Sequence, residues 1–171
     1  MTVSVVLDTS SAESTRELAG VIAGACRPGD VLLLSGDLGA GKTTFAQGFG
    51  RALGIDESIT SPTFTLVRQY EVADGPEGIR TLLHADVYRL DHTAEIADLG
   101  LGQLVEDGGV ALVEWGDAAE PVLGDGALAL RLVADSDDDD RRMITVAADG
   151  PAWADRWPAL AAALAPWRVG Q

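Results

Sequence analysis

One loop of this chain combines glycines, a lysine and a hydroxyl residue at the spacing of a phosphate-binding site. Residues 36–43 read GDLGAGKT, which fits the P-loop pattern G-x-x-x-x-G-K-[ST]. The glycines let backbone N–H groups turn toward phosphate oxygens. The ammonium of Lys42 can reach between β- and γ-phosphates, and the hydroxyl of Thr43 can bind Mg²⁺. These residues predict a site for a nucleotide and its metal ion.

Lys42 is the only lysine of the chain, which otherwise contains eleven arginines. An ammonium is a compact point charge on a flexible stem, and a planar guanidinium does not replace it between two phosphates. The placement of this one ammonium in the loop therefore supports the phosphate-binding interpretation over that of a glycine-rich surface turn.

Two acidic residues could complete such a site, because a P-loop enzyme needs a carboxylate at the end of a neighbouring buried strand. Glu114 directly follows four apolar residues, and Asp86 ends the segment LLHAD. Glu114 follows the cleaner apolar run, so we assign it to the metal ion and expect Asp86 to position the attacking water. The alternative for each is an ordinary carboxylate at a strand end.

His84 lies two positions before Asp86, so the two side chains share one face of a strand. The pair could ligate a metal, or could form a base with its orienting partner. The alternative is a histidine that only makes a structural hydrogen bond, and the residues do not decide between these roles.

Residues 59–64, with the sequence ITSPTF, place three hydroxyl groups around Pro62 shortly after the P-loop. P-loop proteins often place a nucleotide-sensing switch segment there. A turn that initiates a strand is the simpler interpretation, since proline fixes such turns.

The elements that must position these groups follow from the apolar spacing. Residues 31–34 predict a buried parallel strand that feeds the P-loop. Phe45, Phe49 and Leu53 predict the helix after it, and Gly54 its end. An earlier helix should open at a capping box formed by Ser10 to Glu13. Its apolar stripe should end before Pro28 and consist of Leu18, Ile22, Ala25 and Cys26.

The remaining segments complete a mixed sheet. We predict a hairpin of residues 63–72 and 80–86, a short helix at 93–98, a buried strand at 110–113, an antiparallel pair of 127–133 and 143–147, and two helical pieces in the tail, which Pro158 interrupts. The expected fold is α/β, with a P-loop NTPase-type mixed sheet of parallel core strands and antiparallel hairpins flanked by helices. At 171 residues, we expect one domain over residues 1–171.

Composition constrains partners and compartment. The formal charge of −15 disfavours direct binding to nucleic-acid phosphates. Five aspartates lie within residues 135–140, which we interpret as a solvated loop between strands rather than a metal or partner site. The single cysteine, Cys26, excludes an internal disulfide, and the sequence offers neither a signal peptide nor a membrane span. We therefore expect a cytoplasmic protein.

Four segments in order resemble the bacterial TsaE family, a group of P-loop ATPases of tRNA threonylcarbamoyladenosine biosynthesis. They are GDLGAGKTTF at residues 36–45, SPTFTL at 61–66, HADVYRL at 84–90, and the pair Glu114-Trp115. The EST segment at 13–15 with Leu18 is similar to the start of the family's first helix, so the resemblance spans residues 13–117.

This resemblance implies an ATPase that uses ATP and Mg²⁺ and is poorly active alone. The resemblance also implies that the ATPase acts in a complex with partners similar to the TsaB–TsaD heterodimer, and that these partners hold the tRNA. The implied catalytic residues are Lys42, Asp86 and Glu114, and the implied metal ligands are Thr43 and Glu114. The implied nucleotide-binding residues are Glu13, Thr15, Asp37, Leu38, Gly39, Ala40, Gly41, Lys42, Thr43 and Thr44.

Two other functions fit a P-loop. A small-molecule kinase would need a substrate lid with clustered arginines. Only Arg141 and Arg142 are adjacent here, and we expect the preceding aspartates to neutralise them. A nucleotide-gated binding module would bind ATP to control docking without turning it over.

Overall fold

A computed structural model describes residues 2–62, 67–73, 75–76, 78–87, 97, 100–115, 121 and 126–170 of the chain. In chain order its elements are β1 (Val3–Thr9), α1 (Ala12–Gly24), β2 (Val31–Ser35), α2 (Lys42–Ala52), β3 (Val67–Glu71), β4 (Thr81–Asp86), α3 (Leu101–Glu106), β5 (Gly109–Glu114), β6 (Leu128–Ala134), β7 (Arg142–Ala148), α4 (Pro151–Ala154), α5 (Trp157–Ala163) and a 3₁₀ helix (Ala165–Trp167).

The described strands form one seven-stranded sheet in the order β1-β7-β6-β2-β5-β4-β3. Strand β2 runs parallel to β5 and β6, and β5 runs parallel to β4. The margins are antiparallel, since β7 pairs with β6 and β1, and β3 pairs with β4. The predicted fold class is confirmed. Parallel strands bring their carboxyl ends to one edge, so the P-loop after β2 lies beside the acids that end β4 and β5.

Apolar side chains pack on both faces of this sheet. On one face Leu112 belongs to the same core cluster as Phe45 and Phe49 of α2. On the other face Leu33 belongs to a smaller cluster that includes Leu101 of α3. The central strands are thus buried on both sides, which explains why their sequences are nearly continuous apolar runs.

Helices α1 and α2 approach closely at Gly48. A Cβ atom at this position would lie 2.4 Å from the Cα atom of Arg16, so only glycine fits. The Arg16 guanidinium lies across this contact and donates to Oε1 of Gln47 at 3.3 Å. This packing fixes α2, and therefore the helix N-terminus that follows the P-loop.

The start of α1 differs from the prediction. Ser11, and not Ser10, caps the helix: its backbone is extended, and its Oγ accepts from the N–H of Ser14 at 3.0 Å. The predicted capping box is wrong, because Glu13 lies only two positions beyond this cap. Its carboxylate accepts instead from Arg16, at 3.3 Å.

The end of α1 is also earlier than predicted. The helix ends at Gly24, so Cys26 lies beyond it rather than on its inner face. The thiol is nevertheless buried and donates to the carbonyl oxygen of Ile22 at 3.4 Å. Burial, as the largest cause, raises the pKa of this thiol, so Cys26 acts as a small core residue.

Strand β1 was not among the predicted elements. Its sequence VSVVLDT breaks the alternation of polar and apolar residues at Val6, which is 42% exposed. The strand exists because all seven of its residues pair with β7, more than 130 positions later in the chain. Such a partner is invisible to local spacing.

The other predicted segments agree with the structure where it describes them. Strands β3 and β4 form the first predicted hairpin, and β6 and β7 flank the aspartate loop as expected. Pro158 lies in the first turn of α5, which follows α4 as the second predicted helical piece of the tail. Residues 63–66 of the first hairpin, and the helix predicted at 93–98 apart from residue 97, lie outside the described residues.

Among the described helices, none has both the length and the apolar content that crossing a bilayer requires.

Candidate functional site

The P-loop joins the carboxyl end of β2 to the first turn of α2. Gly36 has a φ of +148°, and a Cβ atom there would lie 2.5 Å from the carbonyl oxygen of Leu132. Gly41 directly precedes α2 with a left-handed φ of +104°. Both positions require glycine, the first for close approach and the second for its conformation. The predicted succession of strand, loop and helix is confirmed, and the helix N-terminus supplies unpaired N–H groups to the loop.

Lys42 is the first residue of α2, and the residue as a whole is only 6% exposed. Nζ donates to the carbonyl oxygens of Gly36 at 2.6 Å and Asp37 at 3.0 Å, and lies 4.1 Å from the ring centroid of Trp115. Burial lowers the pKa of Lys42, while the charges of Glu114, Asp86 and Asp37 act in the opposite direction. The structure thus holds a desolvated positive charge at the loop, close to two buried acids.

Trp115 owes its place over the ammonium to an unusual backbone. Its φ of +62° is the only positive value among the described residues other than glycine. Such a conformation is strained for a bulky side chain and persists only where its surroundings impose it. The contact of Trp115 with Lys42 was not predicted, because in the sequence Trp115 is notable only as part of a family resemblance.

The two acids predicted from the strand ends lie side by side. Asp86 of β4 and Glu114 of β5 occupy paired positions of neighbouring parallel strands. They are 6% and 3% exposed, so the alternative of ordinary surface carboxylates is wrong. The carboxylate of Glu114 also contacts His84, whose Nε2 lies 3.1 Å from Oε1. The contact that the structure shows for His84 is thus with Glu114, and a functional pairing of His84 with Asp86 stays a prediction.

Lys42, Asp86 and Glu114 open onto one cavity of about 500 Å³. Its volume lies within the usual range for small-molecule sites. It also brings Ser61 of the suggested switch segment to the P-loop. The complete lining is Leu38, Gly39, Gly41, Lys42, Thr43, Thr44, Ser61, Asp86, Glu114, Trp115 and Arg142.

The remaining candidate nucleotide-binding residues are not part of the lining of this cavity. Asp37 and Ala40 belong to the P-loop and line a second recess, which shares Leu38 and Trp115 with the cavity. The Thr15 hydroxyl is buried against Thr9, at 2.8 Å between the two Oγ1 atoms, and lines a small neighbouring recess with Thr44.

Glu13 lies differently. Its carboxylate accepts from Arg16 at 3.3 Å and from Arg51 at 3.2 Å, and both arginines line a separate groove. The nucleotide contact implied for Glu13 stays a prediction.

Arg142 lines the cavity and was not among the predicted site residues. Its guanidinium donates to the P-loop carbonyl oxygens of Ala40 at 3.0 Å and Gly39 at 3.3 Å, and to the carbonyl oxygens of Asp139 and Arg141. We expected the aspartate run to neutralise both adjacent arginines. Instead Arg141 forms a bidentate ion pair with Asp8, whereas Arg142 donates to carbonyl oxygens of the P-loop.

The donors around the cavity suit Mg²⁺. Thr43 offers a hydroxyl, and Glu114 and Asp86 offer carboxylate oxygens, which are the hard ligands that this ion prefers. Mg²⁺ is commonly held by one or two carboxylates together with substrate phosphates. The residues present therefore fit the ion that the P-loop motif implies.

We expect Arg142→Ala to weaken ATP binding about tenfold, since it removes a positive charge at the cavity and hydrogen bonds that fix two loop peptides. Isothermal titration calorimetry with ATP and Mg²⁺ measures this directly. Arg141→Ala is the matched control, because that side chain is half exposed and its ion pair with Asp8 lies away from the cavity lining. Equal affinities in the two variants would contradict a role of Arg142 in shaping the loop.

The mixed sheet, the glycine-bounded loop and the buried lysine beside two strand-end acids define a P-loop protein. The sequence model of the family described as threonylcarbamoyl adenosine biosynthesis protein TsaE matches residues 9–144. The chain belongs to this TsaE family. The resemblance seen over residues 13–117 is confirmed, and the match continues into the β6–β7 hairpin.

Individual relatives agree with this assignment. The chain is 43% identical over 142 residues to the tRNA threonylcarbamoyladenosine biosynthesis protein TsaE of Bacillus subtilis, covering 83% of this chain and 84% of the relative. It is 41% identical over 144 residues to the Streptomyces coelicolor protein of the same name, covering 81% and 93%. The crystal structure of Bacillus subtilis YdiB matches with a TM-score of 0.72 at 37% identity over 97% of both chains.

Proposed function

We propose that this protein is a Mg²⁺-dependent ATPase that supports the biosynthesis of N6-threonylcarbamoyladenosine in tRNA. Family membership supports the biosynthetic role, which the names of its Bacillus subtilis and Streptomyces coelicolor relatives state. One observation carries the ATPase assignment: the ammonium of Lys42, the hydroxyl residue Thr43 and the acids Asp86 and Glu114 line a single cavity.

The P-loop residues bind and orient the triphosphate. Lys42 exchanges its bonds to the loop carbonyls of Gly36 and Asp37 for phosphate oxygens, which carry more negative charge. Partial burial of this ammonium strengthens its attraction to phosphate, because less water screens it. Arg142 keeps the loop peptides in place while the phosphate enters.

The acids handle the metal and the water. Glu114 and the Thr43 hydroxyl would hold Mg²⁺, and the bound ion would supply positive charge to stabilise the phosphate oxygens during phosphoryl transfer. Asp86 orients the attacking water by accepting a hydrogen bond from it. The pairing of Asp86 with Glu114 on the neighbouring strand supports a role for Asp86 next to the proposed metal ligand.

The protein acts within a complex that resembles the TsaB–TsaD heterodimer. A net charge of −15 disfavours direct binding of tRNA, so the partners hold the nucleic acid. Basic surface on a partner would complement this charge and speed association.

Glu114→Gln preserves the shape of the side chain and removes its charge. We expect the variant to fold normally and to lose turnover about tenfold or more, as befits a metal ligand. Asp86→Asn should lower turnover while leaving ATP affinity nearly unchanged. Phosphate release over a Mg²⁺ titration, combined with calorimetry of ATP binding, separates the two effects.

The same pair of variants tests the assignment of roles. Loss of Mg²⁺ binding in Asp86→Asn but not in Glu114→Gln would reverse the two roles. Full turnover in both would remove the carboxylates from the proposed mechanism.

A further inference from the structure

His84 is a buried polar residue in an apolar setting. Its side chain is completely buried on the face of β4 that also carries Leu82, and it pairs across the sheet with Leu112. Both leucines belong to the main core cluster. Local packing alone would favour a leucine at position 84, so the presence of a histidine there needs an explanation other than packing.

The two ring nitrogens have different surroundings. Nε2 lies 3.1 Å from Oε1 of Glu114, while Nδ1 is buried and has no hydrogen-bond partner among the described residues. A carboxylate oxygen only accepts, so a hydrogen bond between these two atoms requires a hydrogen on Nε2. A second hydrogen, on Nδ1, would be a buried donor without an acceptor. The buried Nδ1 without a partner lowers the stability of the fold, so packing does not explain why a histidine occupies this position.

A glutamate side chain has three rotatable bonds, and a metal ligand must hold one orientation. The His84 contact restrains one carboxylate oxygen of Glu114 from the protein side. The other oxygen is then available to the cavity that Glu114 lines. A single imidazole N–H can thus set the direction in which the acid presents itself to a metal ion.

We infer that His84 is a positioning residue, which donates its Nε2 hydrogen to Glu114 and fixes that carboxylate for metal binding. This inference rests on the proposed function, because it assigns Glu114 to Mg²⁺. His84 itself touches neither the nucleotide nor the metal. Substitution of His84 should therefore raise the Mg²⁺ concentration that turnover requires, and should leave nucleotide affinity without Mg²⁺ nearly unchanged.

Three substitutions separate positioning from packing. His84→Leu fills the space and removes the donor. His84→Gln places an amide nitrogen the same number of bonds from Cβ as Nε2, so it keeps the donor. His84→Asn carries the same amide one bond too short to reach Glu114. ADP binding with and without Mg²⁺, ATP turnover over a Mg²⁺ titration, and the unfolding temperature are measured for each.

His84→Leu is expected to unfold at or above the wild-type temperature, because the unpaired Nδ1 is gone. Its turnover should nevertheless fall about tenfold or more, with a higher Mg²⁺ requirement, as for other partners of metal ligands. His84→Gln should recover most of this loss and His84→Asn should not. If the leucine variant does not fold, the glutamine and asparagine pair decides alone.

A normal Mg²⁺ requirement in His84→Leu, or equal behaviour of the glutamine and asparagine variants, would overturn the inference. Glu114→Gln is measured in parallel as the control for the proposed function. If Glu114→Gln loses turnover and the His84 variants do not, only the positioning role fails. If Glu114→Gln itself keeps full turnover, the metal assignment fails instead.

Discussion

Lys42→Ala is expected to abolish ATP hydrolysis and to weaken ATP binding. The substitution removes a buried ammonium and leaves the negative charges of Glu114, Asp86 and Asp37 near the incoming phosphates. Loss of one such preorganised group typically lowers turnover by about a hundredfold or more. Calorimetry with ATP and Mg²⁺ measures the affinity, and steady-state phosphate release measures turnover.

Lys42→Arg is the matched control, since it keeps the charge and changes its shape. A guanidinium is broader than an ammonium and does not fit between two phosphates, so binding should be partly kept and hydrolysis lost. Burial lowers the pKa of Lys42, which means that the fold holds this charge at a cost. Unchanged ATP affinity in Lys42→Ala would contradict the assignment of the nucleotide site to the P-loop.

ATP hydrolysis is expected to rise roughly a thousandfold or more when the TsaB–TsaD-like partner complex is added, the effect of completing a phosphoryl-transfer site in trans. The reason lies in the cations of the cavity. Arg142 divides its N–H groups among four backbone carbonyl oxygens, so we expect it to go on holding the loop. Lys42 donates to only two, and we expect it to exchange them for the phosphates. The transition-state charge is then incompletely stabilised in the isolated protein. Steady-state ATPase rates with and without the partners test this.

Three outcomes of that assay discriminate between functions. Equal rates alone and in complex would refute activation by the partners. Binding of ATP without turnover in the complex would favour a nucleotide-gated binding module, and transfer of phosphate to a small metabolite would favour a kinase.

The segment around Pro62 is our candidate for the switch that a partner orders, because Ser61 lines the cavity. Arg68 of β3 also holds this segment through the Thr60 hydroxyl. We expect the double substitution Ser61→Ala, Thr63→Ala to reduce only the stimulated rate. An unchanged stimulated rate would remove the switch assignment and leave partner activation standing.

Local chemistry made much of this site predictable. The P-loop pattern, the apolar run before it and the helical spacing of Phe45 and Phe49 each follow from backbone geometry over a few residues. The same holds for Glu114, where an acid ends a buried strand. Parallel strands align at their carboxyl ends, so the meeting of Asp86 with Glu114 also follows from the fold class.

The contacts that were missed join residues far apart in the sequence. Arg142 reaches Ala40 across 102 positions, and His84 reaches Glu114 across 30. Two adjacent arginines after five aspartates look neutralised, and only the pairing of β7 with its neighbours shows that they point to different partners. The start of α1 was missed by one residue for a different reason, since Ser10 and Ser11 are both good caps and the backbone angles decide.

The pairing of β7 with strands on both sides links β1 to the P-loop through Arg142. Arg142 pairs with Thr9 of β1 on one side and Ala134 of β6 on the other. Proteolytic loss of the first nine residues would turn β7 into a bare sheet edge, open to pairing with other chains. It would also free the backbone that aims Arg142 at the P-loop. We therefore expect a cleavage after β1, far from the P-loop in sequence, both to weaken the proposed nucleotide site and to promote aggregation.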